Sequence, residues 1–339
     1  MTDTPILEAR QLCKDYALGK ARWFGAQPFT IKAVQDVDFA LYPGQTIGLV
    51  GESGCGKSSL ARVVLRLNEP TSGEVRFKGE NILARSPREM RDLRRDVQVI
   101  FQDPYSSLDP RFSVRRIISE GWEVFPDIVP PARRAARVAE LLDLVGLNPS
   151  DADRFPHQFS GGQRQRIGIA RALALEPKVI LCDEPVSALD VSVQAQVINL
   201  LARLQKELGL AYLFIAHDLS VVHHISDRVM VMYLGRVVED GPVDQVFAAP
   251  RHPYTVALLS AVPVPDPKLR NREVLVLEGE VPSPINPPGG CPFHPRCAHA
   301  QDICRSKVPE PRYTGETMAR CHFAGELDFS GYVRHLSEA

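Results

Sequence analysis

The segment Gly51-Glu52-Ser53-Gly54-Cys55-Gly56-Lys57-Ser58 restricts what this chain can fold into more than any other stretch. It carries the spacing G-x-x-x-x-G-K-[ST], follows a short apolar run, Thr46 to Val50, and opens a helical pattern from about Lys57 to Leu67. A strand, a glycine-rich turn and a helix in that order turn backbone N–H groups inward at a helix N-terminus, where the peptide dipoles add positive potential. Phosphate oxygens fit such a cradle. The expectation is a nucleoside triphosphate held by Gly51 to Ser59, with Lys57 bridging its β- and γ-phosphates and Ser58 on Mg²⁺. The plainer alternative is a glycine-rich strand-to-helix turn with no ligand; the full match in its confirming context tells against it.

The remaining composition suits a folded chain whose partners are not nucleic acids. Of 339 residues, 44% are hydrophobic, and 40 Lys+Arg against 41 Asp+Glu leave a net charge of −1. That balance is unlike a disordered chain and removes the bulk attraction on which non-specific nucleic-acid binding relies. The length allows two ordinary domains. No run of about 18 apolar residues occurs, and the opening MTDTPILEARQLCKDY has neither a basic n-region nor an apolar h-region, so a cytosolic location is expected. Among the seven cysteines, Cys13, Cys55 and Cys182 are scattered, whereas Cys291, Cys297, Cys304 and Cys321 crowd into the tail. In a reducing compartment such a group reads as metal or cluster binding rather than as a disulfide framework.

Partial alternation over Ile6 to Leu12 and Ala33 to Tyr42 predicts antiparallel strands, separated by the basic and aromatic insertion GKARWFGAQPFTIK. Short apolar strands are predicted at Thr46–Val50, Val97–Phe101, Val179–Asp183, Ala211–Ala216 and Arg228–Tyr233. They alternate with helices at about 191–208 and 219–226, the βαβ pattern of a largely parallel sheet. Between about 104 and 176 no such strand occurs, and Arg133 to Val145 has helical spacing, so an inserted helical subdomain is expected. After about Phe247 prolines become dense. Pro263, Pro265, Pro267, Pro282, Pro284, Pro287 and Pro288 exclude regular helix and central strand, and a tail of this kind buries no large core of its own and needs a staple.

Val179-Ile180-Leu181-Cys182-Asp183-Glu184 is an apolar strand ending in two carboxylates. Asp183 is placed to hold Mg²⁺ through water, and Glu184, one residue beyond, to orient or activate an attacking water. A lone Asp-Glu pair would read as solvated charge at a strand end; paired with the Gly51 loop it does not. Ser160-Gly161-Gly162-Gln163 starts another helical run, with Ser160 as N-cap and two glycines that again expose N–H groups. Taken by itself this reads better as a capped helix start than as a second anion site, because one nucleotide needs one cradle.

Gly51–Ser58, Gln102, Phe159-Ser160-Gly161-Gly162-Gln163, Val179–Glu184, Ser187-Ala188-Leu189-Asp190 and His217 follow one another over roughly 1–250. In that order the set resembles the ATP-binding subunit of ABC transporters, as its Walker A, Q-loop, signature, Walker B, D-loop and H-loop. The family's signature usually begins with Leu where this chain has Phe159. The resemblance implies an α/β P-loop NTPase over 1–250: a RecA-like parallel sheet core, an antiparallel β edge and a helical signature subdomain at about 104–176. A Pro-rich, Cys-containing extension follows at 251–339. It also implies that two ATPase domains pair head to tail, each nucleotide lying between one chain's phosphate loop and the other's Ser160, Gly161, Gly162 and Gln163. Gln102 would then sense the γ-phosphate and Mg²⁺, His217 would contact the γ-phosphate as part of the catalytic set with Glu184 and Lys57, Asp190 would lie at the dimer contact, and Tyr16 would stack on adenine.

The runs Gln102-Asp103-Pro104-Tyr105-Ser106-Ser107-Leu108-Asp109-Pro110-Arg111 and Arg251-His252-Pro253-Tyr254-Thr255 resemble the subgroup serving peptide importers, including oligopeptide, dipeptide and some nickel systems. No chemistry in these residues points to peptides. The tail pattern, Cys291-x5-Cys297-x6-Cys304-x16-Cys321, is wider than the tight C-x₂₋₄-C hairpins of tetrahedral zinc sites. A similar motif in that subgroup binds a [4Fe-4S] cluster in some members. Three readings stay open: a [4Fe-4S] cluster, Zn²⁺ with His294, His299 or His322 as further ligands, and thiols packed as small hydrophobes.

The resemblance therefore implies an ATP-hydrolysing importer subunit, peripheral on the cytoplasmic face of the membrane. Its partners would be a second ATPase subunit, either a paralogous chain or a second copy, two transmembrane permease subunits and, indirectly, an extracytoplasmic binding protein. The alternatives are an importer of nickel or another small solute, and a non-transport ABC ATPase, including one regulated by an iron–sulfur cluster. The stretch from Gly51 to Ser160 is too short for the coiled coil of DNA-repair members, and a translation-type member would carry two cassettes.

Overall fold

The computed structural model describes residues 4–18, 29–103, 107–262 and 274–333. Most of the insertion (19–28), Pro104, Tyr105 and Ser106, and Pro263, Pro265 and Pro267 lie outside them. Two long strands come first, β1 (Leu7–Leu18) and β2 (Phe29–Leu41), then β3 (Thr46–Val50), α1 (Lys57–Val64), β4 (Ser72–Phe77), β5 (Glu80–Asn81), α2 (Pro87–Asp96) and β6 (Val97–Ile100). Next come α3 (Val114–Ser119), α4 (Gly121–Val124), α5 (Arg134–Leu144) and α6 (Gly161–Leu173), with no strand among the described residues between them. Alternation resumes with β7 (Val179–Asp183), α7 (Val191–Leu208), β8 (Ala211–Ile215), α8 (Leu219–Ile225) and β9 (Arg228–Tyr233). The C-terminal part holds β10 (Arg236–Pro242), α9 (Val243–Ala248), α10 (Pro253–Ser260), α11 (Asp302–Ser306), β11 (Arg312–Thr314), β12 (Thr317–Ala319) and α12 (Ser330–Val333).

The strands expected from apolar runs all form. α2 has too few apolar residues to announce itself by periodicity, and only Met90 and Leu93 are buried. Its start is nevertheless written locally: the Ser86 Oγ accepts from the Glu89 N–H and the Glu89 carboxylate accepts from the Ser86 N–H, a capping box behind Pro87.

The chain divides into two compact units. In the first (Met1–Leu7, Ala40–Thr46, Arg76–Ile215), β6, β7 and β8 run parallel, with Val99 opposite Leu181 and Leu181 opposite Leu213. Ile180, Leu181, Leu213 and Phe214 are fully buried, which is why these strands read as unbroken apolar runs rather than as alternation. The helical part of this unit closes around Trp122, fully buried, whose indole N–H donates to the Ala174 carbonyl at 2.7 Å. Val138, Leu142 and Ile167 are likewise without exposed surface.

In the second unit (Glu8–Phe39, Ile47–Val75, Ala216–Ala339), β3 pairs parallel with β9, and β9, β10, β12 and β11 continue antiparallel in that order. β2, β1 and β4 lie side by side in a separate sheet. The tail departs from expectation. It shares a core and a sheet with the rest of its unit: β12 hydrogen-bonds to β10, Ala319 opposite Glu239, and Phe293 is 1% exposed against Tyr233 and Tyr254. Three-residue strands are too short to show a period, so sequence patterning passed over them. Among the described residues, no helix is long and apolar enough to cross a membrane.

Replacing Trp122 by Ala should lower unfolding stability by about 3–5 kcal/mol, since it leaves a cavity and an unpaired Ala174 carbonyl. Urea titration followed by circular dichroism would read this as a lower midpoint.

Candidate nucleotide site

The phosphate loop is a structure only glycine permits. β3 is buried throughout and delivers the chain to Gly51, where a Cβ would stand 2.2 Å from the Met232 carbonyl oxygen. Gly56 has φ +113°, and a Cβ there would stand 2.1 Å from the Ala33 carbonyl oxygen. α1 starts immediately after it, and no side chain caps its first turn. Its leading N–H groups are therefore available to an anion. Lys57, 5% exposed, folds back on the loop, its Nζ donating to the carbonyls of Gly51 at 2.7 Å and Glu52 at 3.1 Å. Ser53 and Gly54 are exposed at the tip, while Ser58 and Ser59 are half-buried on the first turn of α1. Cys55 is buried, and burial pushes its thiol up, which suits a packing group rather than a nucleophile.

Residues far along the chain reach this loop. The Glu52 N–H donates to the Tyr254 hydroxyl at 2.9 Å, and both Nη groups of Arg296 donate to the Glu52 carboxylate, at 2.7 and 3.1 Å. That carboxylate holds the Arg296 guanidinium above its ordinary value. Arg251 to Thr255 leads into α10, with His252 as its N-cap. The His252 Nδ1 accepts from the Tyr254 N–H, and Glu239 on β10 accepts from the N–H groups of Arg251 and His252 at 2.6 and 3.0 Å. Burial raises the Glu239 carboxyl to about 7. Tyr16 shows one ring face to the Lys14 ammonium, 4.9 Å from its centroid, and its hydroxyl accepts from Asn68 at 2.8 Å. His217 is exposed and follows Ala216, whose N–H donates to the Leu49 carbonyl in the loop's own strand at 3.1 Å. Asp218 next to it caps α8.

The other unit carries the carboxylates. β7 ends at Asp183, opposite Ile215 of β8. Glu184 then takes φ +47°, a left-handed conformation unusual for a side-chain-bearing residue, with its N–H donating to the Ile215 carbonyl at 3.0 Å. This kink lifts its side chain out of the strand alternation. Its Oε2 accepts from the Gln102 Nε2 at 2.9 Å, so two residues 82 apart in sequence share one hydrogen bond. Ser187 Oγ donates to the Glu184 carbonyl at 3.1 Å, and Asp190 is exposed at the start of α7.

Ser160 caps α6, accepting from the Gln163 N–H at 3.3 Å while the Gln163 Oε1 accepts from the Ser160 N–H at 3.0 Å. A Cβ on Gly162 would stand 2.3 Å from the Val193 Cγ1, so the close packing of α6 on α7 requires glycine there. Phe159, 4% exposed, lies under the Arg154 guanidinium, 4.6 Å from its ring centroid. Asp109 and Arg111 form a two-bonded ion pair that holds the Asp109 carboxyl at about 2.

Cys291, Cys297, Cys304 and Cys321 line a single small void together with His294, His299 and His322, among the apolar side chains of Phe293, Phe323 and Leu327. The void holds about 10 Å³, roughly one water. Burial and the neighbouring thiols push Cys291 up to about 12 and Cys321 up to about 11. Four thiols facing one void suit either apolar packing or a cationic group that would draw off their protons. Among the described residues, no three His, Cys, Asp or Glu side chains gather closely enough to hold a single metal ion. The donor set fits a thiolate-bound group only if its side chains turn onto that group. Sequence reasoning did not find Arg296, Tyr233 or Tyr254 as neighbours of the phosphate loop. The Tyr254 motif was visible, but its contact spans 202 positions and that of Arg296 spans 244, which no local signal reports.

Comparison with known proteins agrees with this geometry. Residues 34–187 match the ABC transporter family and residues 238–304 match the oligopeptide/dipeptide transporter C-terminal region. The chain is 54% identical over 287 residues to the oligopeptide transport ATP-binding protein OppF of Haemophilus influenzae, covering 84% of this chain and 86% of that one. It is 55% identical over 289 residues to the Escherichia coli protein of the same name, covering 85% and 86%. Among solved structures, cbiO1 from Clostridium perfringens, part of the cbiONQ ABC transporter complex, matches with a TM-score of 0.62 and 29% identity over 73% of this chain and 92% of that one. A dimeric ATP-binding cassette in a post-hydrolysis state bound to ADP and Pi matches with a TM-score of 0.61 and 28% identity, over 70% and 98%. With its phosphate loop, capped signature helix and Glu184 turn in place, the chain belongs to the ATP-binding subunits of the ABC transporter family.

Proposed function

We propose that this protein is the ATP-hydrolysing subunit of a peptide importer, peripheral on the cytoplasmic face of the membrane. The observation that carries this reading is the resemblance to oligopeptide transport ATP-binding proteins at more than half identity over most of both chains, including the C-terminal region at 238–304. On this reading 1–250 is the ATPase domain and 251–339 its extension. The partners are a second ATPase subunit, two permease subunits and an extracytoplasmic binding protein that delivers the cargo. Nickel import and a non-transport role have no comparable support.

Glu184 orients the attacking water, and Gln102, hydrogen-bonded to it at 2.9 Å, reports on the γ-phosphate side. Lys57 leaves the loop carbonyls it now contacts and neutralises the β- and γ-phosphates, and His217 contacts the γ-phosphate. Ser58 and Asp183, with Gln102, would hold Mg²⁺, which would supply charge compensation for the phosphoryl group. Tyr16 stacks on adenine. Ser160 to Gln163 of one subunit close the nucleotide site of the other, with Asp190 at the contact. Because the γ-phosphate is a ligand for both subunits, hydrolysis removes what joins them. Glu184→Gln should retain MgATP binding, lose ATPase turnover by at least about 100-fold and accumulate an ATP-bound dimer on size exclusion. In vesicles holding the assembled transporter, peptide-loaded binding protein should raise ATP hydrolysis and nickel should not; the opposite pattern would remove the peptide assignment.

The four tail thiolates are proposed to hold a [4Fe-4S] cluster. Support comes from four cysteines that line one void and are spaced more widely along the chain than the tight hairpins of zinc sites. The group would contribute folding energy to the tail and take no part in phosphoryl transfer. Anaerobic purification should yield about four iron and four sulfide per chain with a broad visible absorbance. Stoichiometric zinc, or neither metal, would refute it.

A further inference from the structure

Glu52 is tied to its surroundings at three points. Its carbonyl accepts from Lys57, its N–H donates to Tyr254, and its carboxylate takes both Nη groups of Arg296. The Arg296 side chain is 6% exposed and the Glu52 side chain 28%, so the pair is shielded on the arginine side. Arg296 closes the helical turn His294–Arg296, with its guanidinium carbon 6.0 Å from the Tyr233 ring centroid. Tyr233, Tyr254 and Phe293 pack together beneath it, with ring centroids 4.8 to 5.5 Å apart.

An acidic side chain in a loop that receives a polyphosphate is an electrostatic liability. Unpaired, it repels a polyanion over a screening distance of roughly 8 Å at physiological ionic strength. A two-bonded guanidinium cancels that charge and also restricts the carboxylate to one orientation, which a lysine does less well. We propose that Arg296 is a positioning residue for nucleotide binding, which acts through Glu52 by neutralising the phosphate loop's acidic residue and holding that residue in place. The C-terminal extension thereby sets the affinity of a site to which it contributes no direct ligand. This inference depends only on nucleotide binding by the Gly51–Ser58 loop and is independent of the cargo and of any metal in the tail.

The test is titration of the full-length chain with a fluorescent ATP analogue in the presence of Mg²⁺, alongside thermal melting. Arg296→Gln should weaken affinity about tenfold, the equivalent of 1.4 kcal/mol, at low salt, and the deficit should shrink as ionic strength rises. Adding Glu52→Gln to that variant should bring affinity back to within about threefold of the parent, since a neutral loop no longer needs the guanidinium. Parent-like affinity in Arg296→Gln, or a double variant as weak as the single one, would overturn the proposal, because a purely structural arginine would lower the melting temperature without this charge-dependent recovery. If Arg296→Gln does not fold, Arg296→Lys decides: a smaller, salt-sensitive loss that Glu52→Gln removes supports the role, and unchanged affinity refutes it.

Discussion

A cradle built from backbone tolerates nothing but backbone at its closest approaches, and the candidate nucleotide site depends on that constraint. Met232 and Ala33 present carbonyl oxygens within 2.2 Å of where side chains on Gly51 and Gly56 would begin. Each contact joins the loop to a different neighbour: Met232 lies on β9, beside β3, and Ala33 lies on β2 in the separate sheet. The loop is thus shaped by two layers pressing on it as well as by its own turn. The α1 N-terminus follows directly on this turn with no side-chain cap, and Lys57 folds back onto the loop carbonyls.

A comparable economy operates at the carboxylates. β7 is buried along its length until Asp183, and the left-handed turn at Glu184 is where the chain leaves the sheet. Such a conformation is costly for glutamate, by about 1–3 kcal/mol, and persists because the Ile215 and Ser187 hydrogen bonds hold the residue on both sides. The outcome is a carboxylate aimed at Gln102 rather than back into the strand's alternating pattern. At the signature, one glycine serves two ends. Gly162 allows α6 to pack on α7, and beside it Ser160 and Gln163 satisfy each other, so the helix start is rigid before any partner arrives.

The C-terminal extension shows how a proline-rich segment finds order without a core of its own. It borrows one: β12 joins β10 through main-chain bonds, Phe293 packs against Tyr233 and Tyr254, and Arg296 finishes on Glu52. These contacts bring the four cysteines to one void, with the Cys291 N–H donating to the Cys304 carbonyl at 2.8 Å.

Much of the architecture was legible in local pattern. The apolar runs at Thr46–Val50, Val179–Asp183, Ala211–Ile215 and Arg228–Tyr233 are strands buried on both faces, and burial on both faces is what makes a run unbroken. The phosphate loop, the Ser160 cap and the two carboxylates at and just beyond the end of β7 are likewise local chemistry, each set by residues within a few positions of one another. What lay beyond reach were α2, whose polar face hides its period, the three-residue strands of the tail, and the hydrogen bonds that join distant segments. Gln102 with Glu184, and Tyr254 and Arg296 with Glu52, depend on where the sheet and its flanking segments bring the chain back. By itself the sequence determined that this protein has a glycine-rich strand-to-helix loop and which family's motifs surround it. Only the tertiary structure decided that the loop's acidic residue is neutralised by an arginine 244 positions away, because an ion pair is a matter of distance in space and leaves no period in the chain.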